Sequence, residues 1–172
     1  PISTPLYSSA ASDVYKRQLQ LIDQTLIDTT NTTDGRAIIT LPPQEGKSQR
    51  VSRRYPLWTL THNPNTRIAI VSYSHAVARR WGRTIRDDIT THPDLGLTIR
   101  PDLSAQHEWQ LAEAQGGVYT TGIGGSLTGR PVDLLIIDDP IKDREQADST
   151  IYRNRVWAVS YTHLTLPTNR EV

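Results

Sequence analysis

Apolar positions along the chain fall into alternating strand-like and helix-like patterns. Short β-branched or aliphatic runs predict strands over residues 36–41, 67–73 and 132–138. The last run is the most continuous and predicts a central parallel strand covered on both faces. Helical spacing predicts a short helix over 19–28 and a longer helix after Ser74, its N-cap, whose apolar face consists of Val77, Trp81, Ile85 and Ile89.

Polar and glycine-rich stretches connect these elements. A further helix is predicted around residues 108–114, and six of the ten glycines lie between Gly116 and Gly129, where tight turns or a hairpin are expected. The segment after residue 48 has a helical pattern that Pro56 should disturb, since proline has no N–H to donate. Strands alternating with helices predict an α/β fold with a mainly parallel central sheet flanked by helices.

The two ends of the chain differ from its middle. Residues 1–18 and 159–172 are rich in Ser, Thr and Pro, show no sustained period, and resemble translated adapter sequence of non-native origin. The expected domain is therefore 19–158. Because the chain begins at Pro1 and contains no methionine, we interpret it as a truncated internal fragment.

Composition excludes several classes of function. A chain of 172 residues suits one domain, and no apolar run approaches the roughly 20 residues of a membrane span. The absence of cysteine removes disulfides and thiolate chemistry, and no secretory signal is present, so a cytoplasmic location is expected. Residues 19–158 carry equal numbers of acidic and basic side chains, so only local clustering could indicate nucleic-acid binding.

Gly46-Lys47-Ser48 lies between a predicted strand and a predicted helix. Backbone N–H groups and the helix dipole could then face phosphate oxygens, with Lys47 at the β- and γ-phosphates and the Ser48 hydroxyl on magnesium. The full phosphate-loop pattern has glycine five residues before Gly46, where this chain has Leu41 followed by two prolines. The alternative is an ordinary surface turn.

Two carboxylates, Asp138 and Asp139, follow the aliphatic run of residues 134–137. The carboxyl end of a parallel strand is where ligands bind in open α/β folds. Asp138 would hold magnesium and Asp139 would orient the attacking water. Turn aspartates before Pro140 are the alternative. The loop and the acidic pair, about 90 residues apart, together predict a nucleotide hydrolase with ATP and Mg²⁺ as ligands.

Several weaker patterns accompany these two. Arginines line one face of the predicted helix after Ser74, and others follow the phosphate loop; they could contact phosphate, although such arginines more often form a solvated face. The helix face carries Arg79, Arg83 and Arg86, with Arg80 beside them, and the residues after the loop are Arg50, Arg53 and Arg54. Gly122-Ile123-Gly124-Gly125 is better explained as a turn than as a dinucleotide loop. The five histidines lack metal-ligand spacing, so no zinc site is predicted.

Three ordered segments resemble the ATPase domain of the tailed-phage terminase large subunit. They are LPPQEGKSQRVSRRYPLWTL, RIAIVSYSHAVARRWGRTIRDDI and GGSLTGRPVDLLIIDDPIKDREQADS. The resemblance covers about residues 19–158 and implies a P-loop NTPase fold of the RecA/ASCE type. It also implies a motor that hydrolyses ATP to translocate double-stranded DNA into a capsid in the host cytoplasm. The implied partners are DNA, the small terminase subunit, the portal and further copies in a ring, with no membrane.

By position, the resemblance assigns roles to individual residues. Lys47 and Asp139 are implied as catalytic, and Ser48 and Asp138 as magnesium ligands. The nucleotide-binding set is Gln44, Glu45, Gly46, Lys47, Ser48 and Gln49. Members of the family often have an arginine-histidine pair where this chain has Gln44-Glu45, so a loop arginine is missing. Four arginines remain open as its substitute: Arg50, Arg53, Arg54 and Arg130.

The nuclease domain of complete terminases has no counterpart after residue 154. The fragment is therefore expected to bind or slowly hydrolyse nucleotide and not to cleave DNA. One alternative is a helicase-like or other DNA-remodelling P-loop ATPase, which shares both motifs. The other is a non-catalytic nucleotide- or DNA-binding module, in which Glu45 weakens phosphate binding by placing an acid near the anion.

Overall fold

The computed structural model describes residues 10–42, 46–127 and 129–164, with the side chains of residues 16–159 among them. The chain divides into two compact units, Pro1–Val51 and Ser52–Val172. Within the described residues no helix is both long and apolar enough to cross a membrane.

The first unit contains helix α1, Ala10–Thr30. Its buried residues Leu19, Ile22 and Leu26 recur at three- and four-residue spacing, as in an amphipathic helix. The helix begins inside the stretch set aside as non-native and is longer than the predicted 19–28. The start of α1 was missed because the Ser- and Thr-rich sequence before Leu19 has no apolar period.

The predicted strand over 36–41 is wrong. Residues 35–42 have no regular secondary structure, and the Ile38 side chain is 96% exposed. A β-branched run becomes a strand only where a neighbouring strand accepts its hydrogen bonds, and none of the described strands does so. The phosphate-type loop therefore lacks the preceding strand that the sequence indicated.

A helical stretch follows Gly46 and changes its hydrogen-bonding pattern before Pro56. A π-helical segment, Gln49–Arg54, leads into helix α2, Tyr55–His62, with the proline in the first positions of α2. Because Pro56 cannot donate to the preceding turn, the wider π turn lies directly before it. The expected disturbance at this proline is confirmed.

The second unit contains a five-stranded mixed sheet in the order β2-β3-β4-β1-β5. The strands are β1 (Arg67–Ser72), β2 (Ile99–Ser104), β3 (Glu108–Leu111), β4 (Gly117–Gly122) and β5 (Leu134–Asp138). The helices after β1 are α3 (His75–Thr91), α4 (Arg144–Asp148) and α5 (Thr150–Leu164), with a 3₁₀ turn at Pro93–Leu95.

The α/β class with a sheet flanked by helices is confirmed, and the sheet is mixed, because four of its five strands run in one direction and β3 runs against them. Strand β1 is parallel to β4 and β5, but β3 is antiparallel to both β2 and β4. Among the described strands β5 lies at the edge of the sheet and not at its centre. A continuous apolar run shows that both faces are covered, but it does not determine how many neighbours a strand has.

The helix predicted around 108–114 is also wrong, because residues 108–111 form β3. Trp109 and Leu111 are buried and alternate with half-buried residues, which is the period of a strand. The Trp109 indole Nε1 donates to the Gly82 carbonyl of α3 at 2.9 Å. Pairing with strands on both sides overrides the helical propensity of this short segment.

Helix α3 covers one face of the sheet. The Ser74 hydroxyl accepts a hydrogen bond from the Val77 N–H, which confirms the predicted N-cap. A Cβ on Gly82 would lie 2.8 Å from the Thr120 side chain, so only glycine allows this close approach to β4. Ala69, Val71 and Leu127 form a core cluster of the unit, against which Val159 of α5 packs.

Candidate functional site

The carboxyl ends of three parallel strands meet at one edge of the sheet in the second unit. In the strand register Ser72, the last residue of β1, lies beside Gly122 of β4 and beside Asp138 of β5. Side chains of residues in register point to the same face of a sheet. We call Ser72, Gly122, Asp138 and Asp139 the carboxyl edge.

The two aspartates of the carboxyl edge have different surroundings. Asp138 is only 5% exposed, whereas Asp139 is exposed. The backbone of Asp139 has a φ of 45°, a left-handed conformation that aspartate adopts more readily than most residues. The Tyr73 N–H donates to the Asp139 carbonyl at 3.2 Å, which fixes the chain at this point. One carboxylate is therefore embedded in the sheet and the other projects from a constrained turn.

Tyr152 of α5 holds the loops after β1 and β5 near each other. Its hydroxyl donates to the Pro140 carbonyl at 3.0 Å and lies 3.5 Å from the Tyr73 carbonyl. Burial raises the pKa of Tyr152, and the nearby Asp143 carboxylate adds to the rise while Arg155 opposes it. The phenol therefore stays protonated and can act as a donor at neutral pH.

The Ser72 hydroxyl is an unusual feature of this edge. It is fully buried, and its Oγ has no hydrogen-bond partner in the described part of the chain. A buried hydroxyl left unpaired costs about 1–3 kcal/mol, so such groups often serve a ligand or an ordered water. Its position in register with Asp138 places it beside the buried carboxylate.

The donors at the carboxyl edge fit a hydrated Mg²⁺ ion. Magnesium prefers oxygen ligands, keeps several waters, and is commonly held by one or two carboxylates together with substrate phosphates. Asp138 offers the carboxylate, and the orphan Ser72 oxygen could accept or donate to a metal-bound water. Among the described residues there is no group of three or more His, Asp or Glu side chains that could hold a metal ion.

The phosphate-type loop belongs to the first unit. Gly46 has a φ of 75°, a left-handed conformation suited to glycine, and the helix starts at Lys47. The Arg50 N–H donates to the Gly46 carbonyl at 3.1 Å, so Ser48 and Gln49 lie in the first turn. Gln44 and Glu45 lie outside the described residues, and their proposed contacts with nucleotide stay predictions.

Three of the four candidate arginines are held by carboxylates. Arg50 contacts Asp23 at 3.0 Å, and Arg53 makes two bonds of 2.7 Å to Asp88. Arg130 binds Glu108 and stacks 4.0 Å above the Tyr119 ring. Arg54 has no carboxylate within ion-pair distance among the described side chains. The structure therefore separates Arg54 from the other three candidates.

Arg130 also lines a cavity of about 180 Å³ that includes Arg67, the first residue of β1. The Tyr119 ring beneath its guanidinium belongs to the middle of β4. Arg130 therefore lines a cavity that reaches the amino end of β1, at the opposite end of that strand from the carboxyl edge.

Sequence reasoning did not single out Ser72 or Tyr152. A serine at the end of an apolar strand is too common to indicate a site, and its neighbour Asp138 follows from register, which is set by pairing in the folded sheet. A tyrosine in the helix after an Asp-Asp-Pro turn carries no signal by itself.

A comparison with models of known protein families finds no match, and a comparison with curated protein sequences finds none either.

Proposed function

We propose that this chain is a magnesium-dependent ATPase domain of the P-loop type, and that it belongs to a phage terminase large subunit. In that protein it would hydrolyse ATP to translocate double-stranded DNA into a capsid. The observation that carries the proposal is the acidic pair that ends β5. One carboxylate is buried in register with an unpaired hydroxyl, and the next is exposed on a left-handed backbone.

Each carboxylate suits a separate task. Asp138 is buried and held in place by strand pairing. A residue that positions a metal ion through the waters bound to that ion has to be held in this way. Asp139 is exposed and can accept a proton or orient a water, while its main chain is held by the bond from Tyr73. Magnesium, when bound with ATP, neutralises charge on the β- and γ-phosphates.

The loop that starts the helix at Lys47 suits phosphate binding. The first N–H groups of a helix have no intrahelical acceptor and carry a partial positive charge. Under the proposal Lys47 and Gln49 contact phosphate with Gly46, and Ser48 provides a hydroxyl ligand for the metal. Gln44 and Glu45 would complete the loop. The missing strand before this loop is the main departure from the usual phosphate-loop setting.

The partners of the proposed motor come from the resemblance alone. They are double-stranded DNA, the small terminase subunit, the portal and further copies of the chain in a ring, assembled in the host cytoplasm. Under the proposal this chain is the ATP-hydrolysing part of that assembly.

ATP binding and phosphate release with Mg²⁺ would test the proposal. Asp139→Asn should keep nucleotide binding and lose turnover by about 10²-fold or more, as expected for removal of a general base. Lys47→Ala should lose nucleotide binding. Lys142→Ala is the matched control, because Lys142 is 61% exposed and its only described ion pair is a long one to Asp143.

Three outcomes are decisive. Turnover that depends on Asp139 but not on Lys142 supports the ATPase. Binding of ATP without turnover in the wild type would identify a non-catalytic nucleotide-binding module. A wild type that binds no magnesium-ATP, with Lys47→Ala indistinguishable from it, would refute any nucleotide function.

A further inference from the structure

Asp139 has a backbone conformation that the following proline opposes. Its φ of 45° is left-handed, whereas a residue before a proline normally adopts an extended conformation with a negative φ. Such unfavourable backbone conformations persist only where the surrounding structure holds them, and they are concentrated at functional sites. The contacts around Asp139 and Pro140 therefore show what maintains this turn.

Two hydrogen bonds hold the turn, one on each of its carbonyl groups. The Asp139 carbonyl accepts from the Tyr73 N–H at 3.2 Å, and the Pro140 carbonyl accepts from the Tyr152 hydroxyl at 3.0 Å. The Tyr152 hydroxyl also lies 3.5 Å from the Tyr73 carbonyl. The phenol of Tyr152 thus spans the loop after β1 and the turn after β5.

The position of Tyr152 is itself fixed by the first turn of α5. The Tyr152 N–H donates to the Ser149 hydroxyl at 3.3 Å, and the Arg153 N–H donates to the Ser149 carbonyl at 2.9 Å. This is the arrangement of a serine N-cap, which stabilises the start of a helix. Further along α5, Val159 packs against the core cluster of the unit. The phenol therefore extends from a helix that is capped at its start and packed against the core.

The direction of the Asp139 carboxylate depends on this turn. Along a β-strand successive side chains point to opposite faces of the sheet, and β5 ends at Asp138. The left-handed φ of Asp139 interrupts this alternation, so a change in that single dihedral angle would redirect the exposed carboxylate. A general base has to lie about 2.6–3.2 Å from the group whose proton it accepts, so a small displacement of the turn would impair catalysis.

We infer that Tyr152 is a positioning residue for Asp139. Its hydroxyl holds the Pro140 carbonyl and thereby keeps Asp139 in the left-handed conformation that aims the carboxylate at the attacking water. The inference rests on the proposed function, because that function gives Asp139 its task. Tyr152 acts through the main chain of the turn, without contact with nucleotide or metal.

Steady-state ATP turnover by Tyr152→Phe tests the inference, since this change removes only the hydroxyl. The kcat should fall by about 3- to 10-fold, as expected for the loss of one neutral hydrogen bond, while the KM for ATP stays within about 2-fold. A purely structural role would reduce the folded fraction, measured by circular dichroism, but not the kcat of the folded protein. An unchanged kcat would overturn the inference.

A double-mutant cycle with Asp139→Asn shows whether Tyr152 acts through Asp139. In the Asp139→Asn background, Tyr152→Phe should change the residual kcat by less than about 2-fold, because the carboxylate that the hydroxyl positions is gone. An equal fold loss in both backgrounds would contradict the inference, since the two side chains would then act independently.

Tyr119→Phe is the matched control. The Tyr119 hydroxyl also donates to a loop carbonyl, that of Ser126 at 3.2 Å, and the substitution removes the same atom. Its kcat should stay within about 2-fold of the wild-type value, because this bond does not involve the turn after β5. If Tyr119→Phe lost as much turnover as Tyr152→Phe, the effect would come from general loosening of loops and the inference would be wrong.

Amide hydrogen exchange at Tyr73 separates this inference from the proposed function. Because the Tyr73 N–H donates to the Asp139 carbonyl, its exchange rate reports the state of the turn without nucleotide. Exchange should be about 3- to 10-fold faster in Tyr152→Phe than in the wild type, and unchanged in Tyr119→Phe. Unchanged exchange in Tyr152→Phe would refute the inference even in an active ATPase. Faster exchange in a chain that hydrolyses no ATP would refute the ATPase and still support Tyr152 as the residue that holds the turn.

Discussion

Asp139 combines an exposed carboxylate with a left-handed backbone. Most residues with a side chain pay about 1–2 kcal/mol for this conformation, while aspartate, asparagine and glycine adopt it more easily. The φ of 45° therefore gives the Asp-Pro turn a backbone requirement that is independent of the carboxylate's chemistry. Substitutions at this position can distinguish the two roles.

Asp139→Asn and Asp139→Gly should leave the free energy of unfolding within about 0.5 kcal/mol of the wild type, because both residues tolerate a positive φ. Asp139→Ala should lower the free energy of unfolding by about 1 kcal/mol. All three should lose ATP turnover. Urea unfolding with a parallel phosphate-release assay measures both effects. Equal stability of the alanine and asparagine variants would contradict the backbone argument.

Ser72 and Ser52 form a natural comparison, because both are fully buried and both have a hydroxyl oxygen without a hydrogen-bond partner among the described residues. Removing an unsatisfied buried hydroxyl should be neutral or stabilising by up to about 1 kcal/mol, so Ser52→Ala and Ser72→Ala should both remain folded.

Only Ser72→Ala should raise the Mg²⁺ concentration needed for half-maximal ATP binding, by about 3-fold or more, since only Ser72 lies in register with Asp138. A magnesium titration of a fluorescent ATP analogue measures this change. An equal shift in Ser52→Ala would show that the effect comes from packing.

The amino ends of β1 and β5 are joined by Arg67 and Asp133. The Asp133 carboxylate accepts from the Arg67 backbone N–H at 2.9 Å and from its Nε at 2.7 Å, and the Asp133 N–H donates to the Arg67 carbonyl at 2.9 Å. The Arg67 guanidinium lowers the pKa of Asp133 below its ordinary value. The pair fixes the register in which Ser72 meets Asp138 at the other end of the same strands.

A lowered carboxylate pKa in the folded state makes stability depend on pH in one direction. The contribution of Asp133 is present above the pKa of an unfolded aspartate, about 4, and is lost as the pH falls through the folded value. Asp133→Asn should therefore flatten the loss of stability below about pH 4. At neutral pH it should cost less than about 1 kcal/mol, because the pair is partly exposed and screened by solvent.

Chemical denaturation at several pH values measures this dependence. Asp148→Asn is the control, since the ion pair that Asp148 makes among the described residues is a 3.6 Å contact with the highly exposed Arg144. A control profile that flattens as much as that of Asp133→Asn would contradict the assignment.

Elements whose own sequence determines them were predicted correctly, whereas elements that depend on pairing with strands far away in the chain were not. Helix α3 follows from its own apolar spacing and its Ser74 cap, and β1 follows from a buried aliphatic run. Segment 108–111 contains residues that suit either a helix or a strand, and the sheet decides between them. Strand β4 was hidden in a glycine-rich region where turns were expected.

The candidate site likewise contains residues that sequence spacing identifies and residues that only the folded chain brings together. Sequence spacing identifies the Asp138-Asp139 pair at a strand end, because four aliphatic residues precede it. It cannot reveal that Ser72 lies beside Asp138 or that Tyr152 binds the Pro140 carbonyl, since these contacts join residues far apart in the chain. It also could not choose among four arginines, three of which proved to be paired with acids.

Apolar burial is distributed unequally over the chain. Strand β1 has buried side chains on both faces of the sheet, with Ile68 and Ile70 on one and Ala69 and Val71 on the other. In the first unit the segment after α1 leaves Ile38 exposed. The stability of the molecule should therefore depend far more on β1 than on residues 36–41.

Ile70→Ala and Ile38→Ala compare the two segments with the same chemical change. Ile70 is fully buried between Thr120 of β4 and Ile136 of β5, so its truncation should cost about 2–5 kcal/mol in transfer energy and cavity formation. Ile38 is 96% exposed, so the same truncation should change the free energy of unfolding by less than about 0.5 kcal/mol.

Urea unfolding followed by circular dichroism measures both values. Since the two variants remove the same atoms, the difference between them reports burial directly. A cost of several kcal/mol for Ile38→Ala would mean that residues 36–41 pack as a strand in the folded protein. The loop at Gly46 would then regain the strand that a phosphate loop normally follows, and the proposed nucleotide site would have to be rebuilt around it.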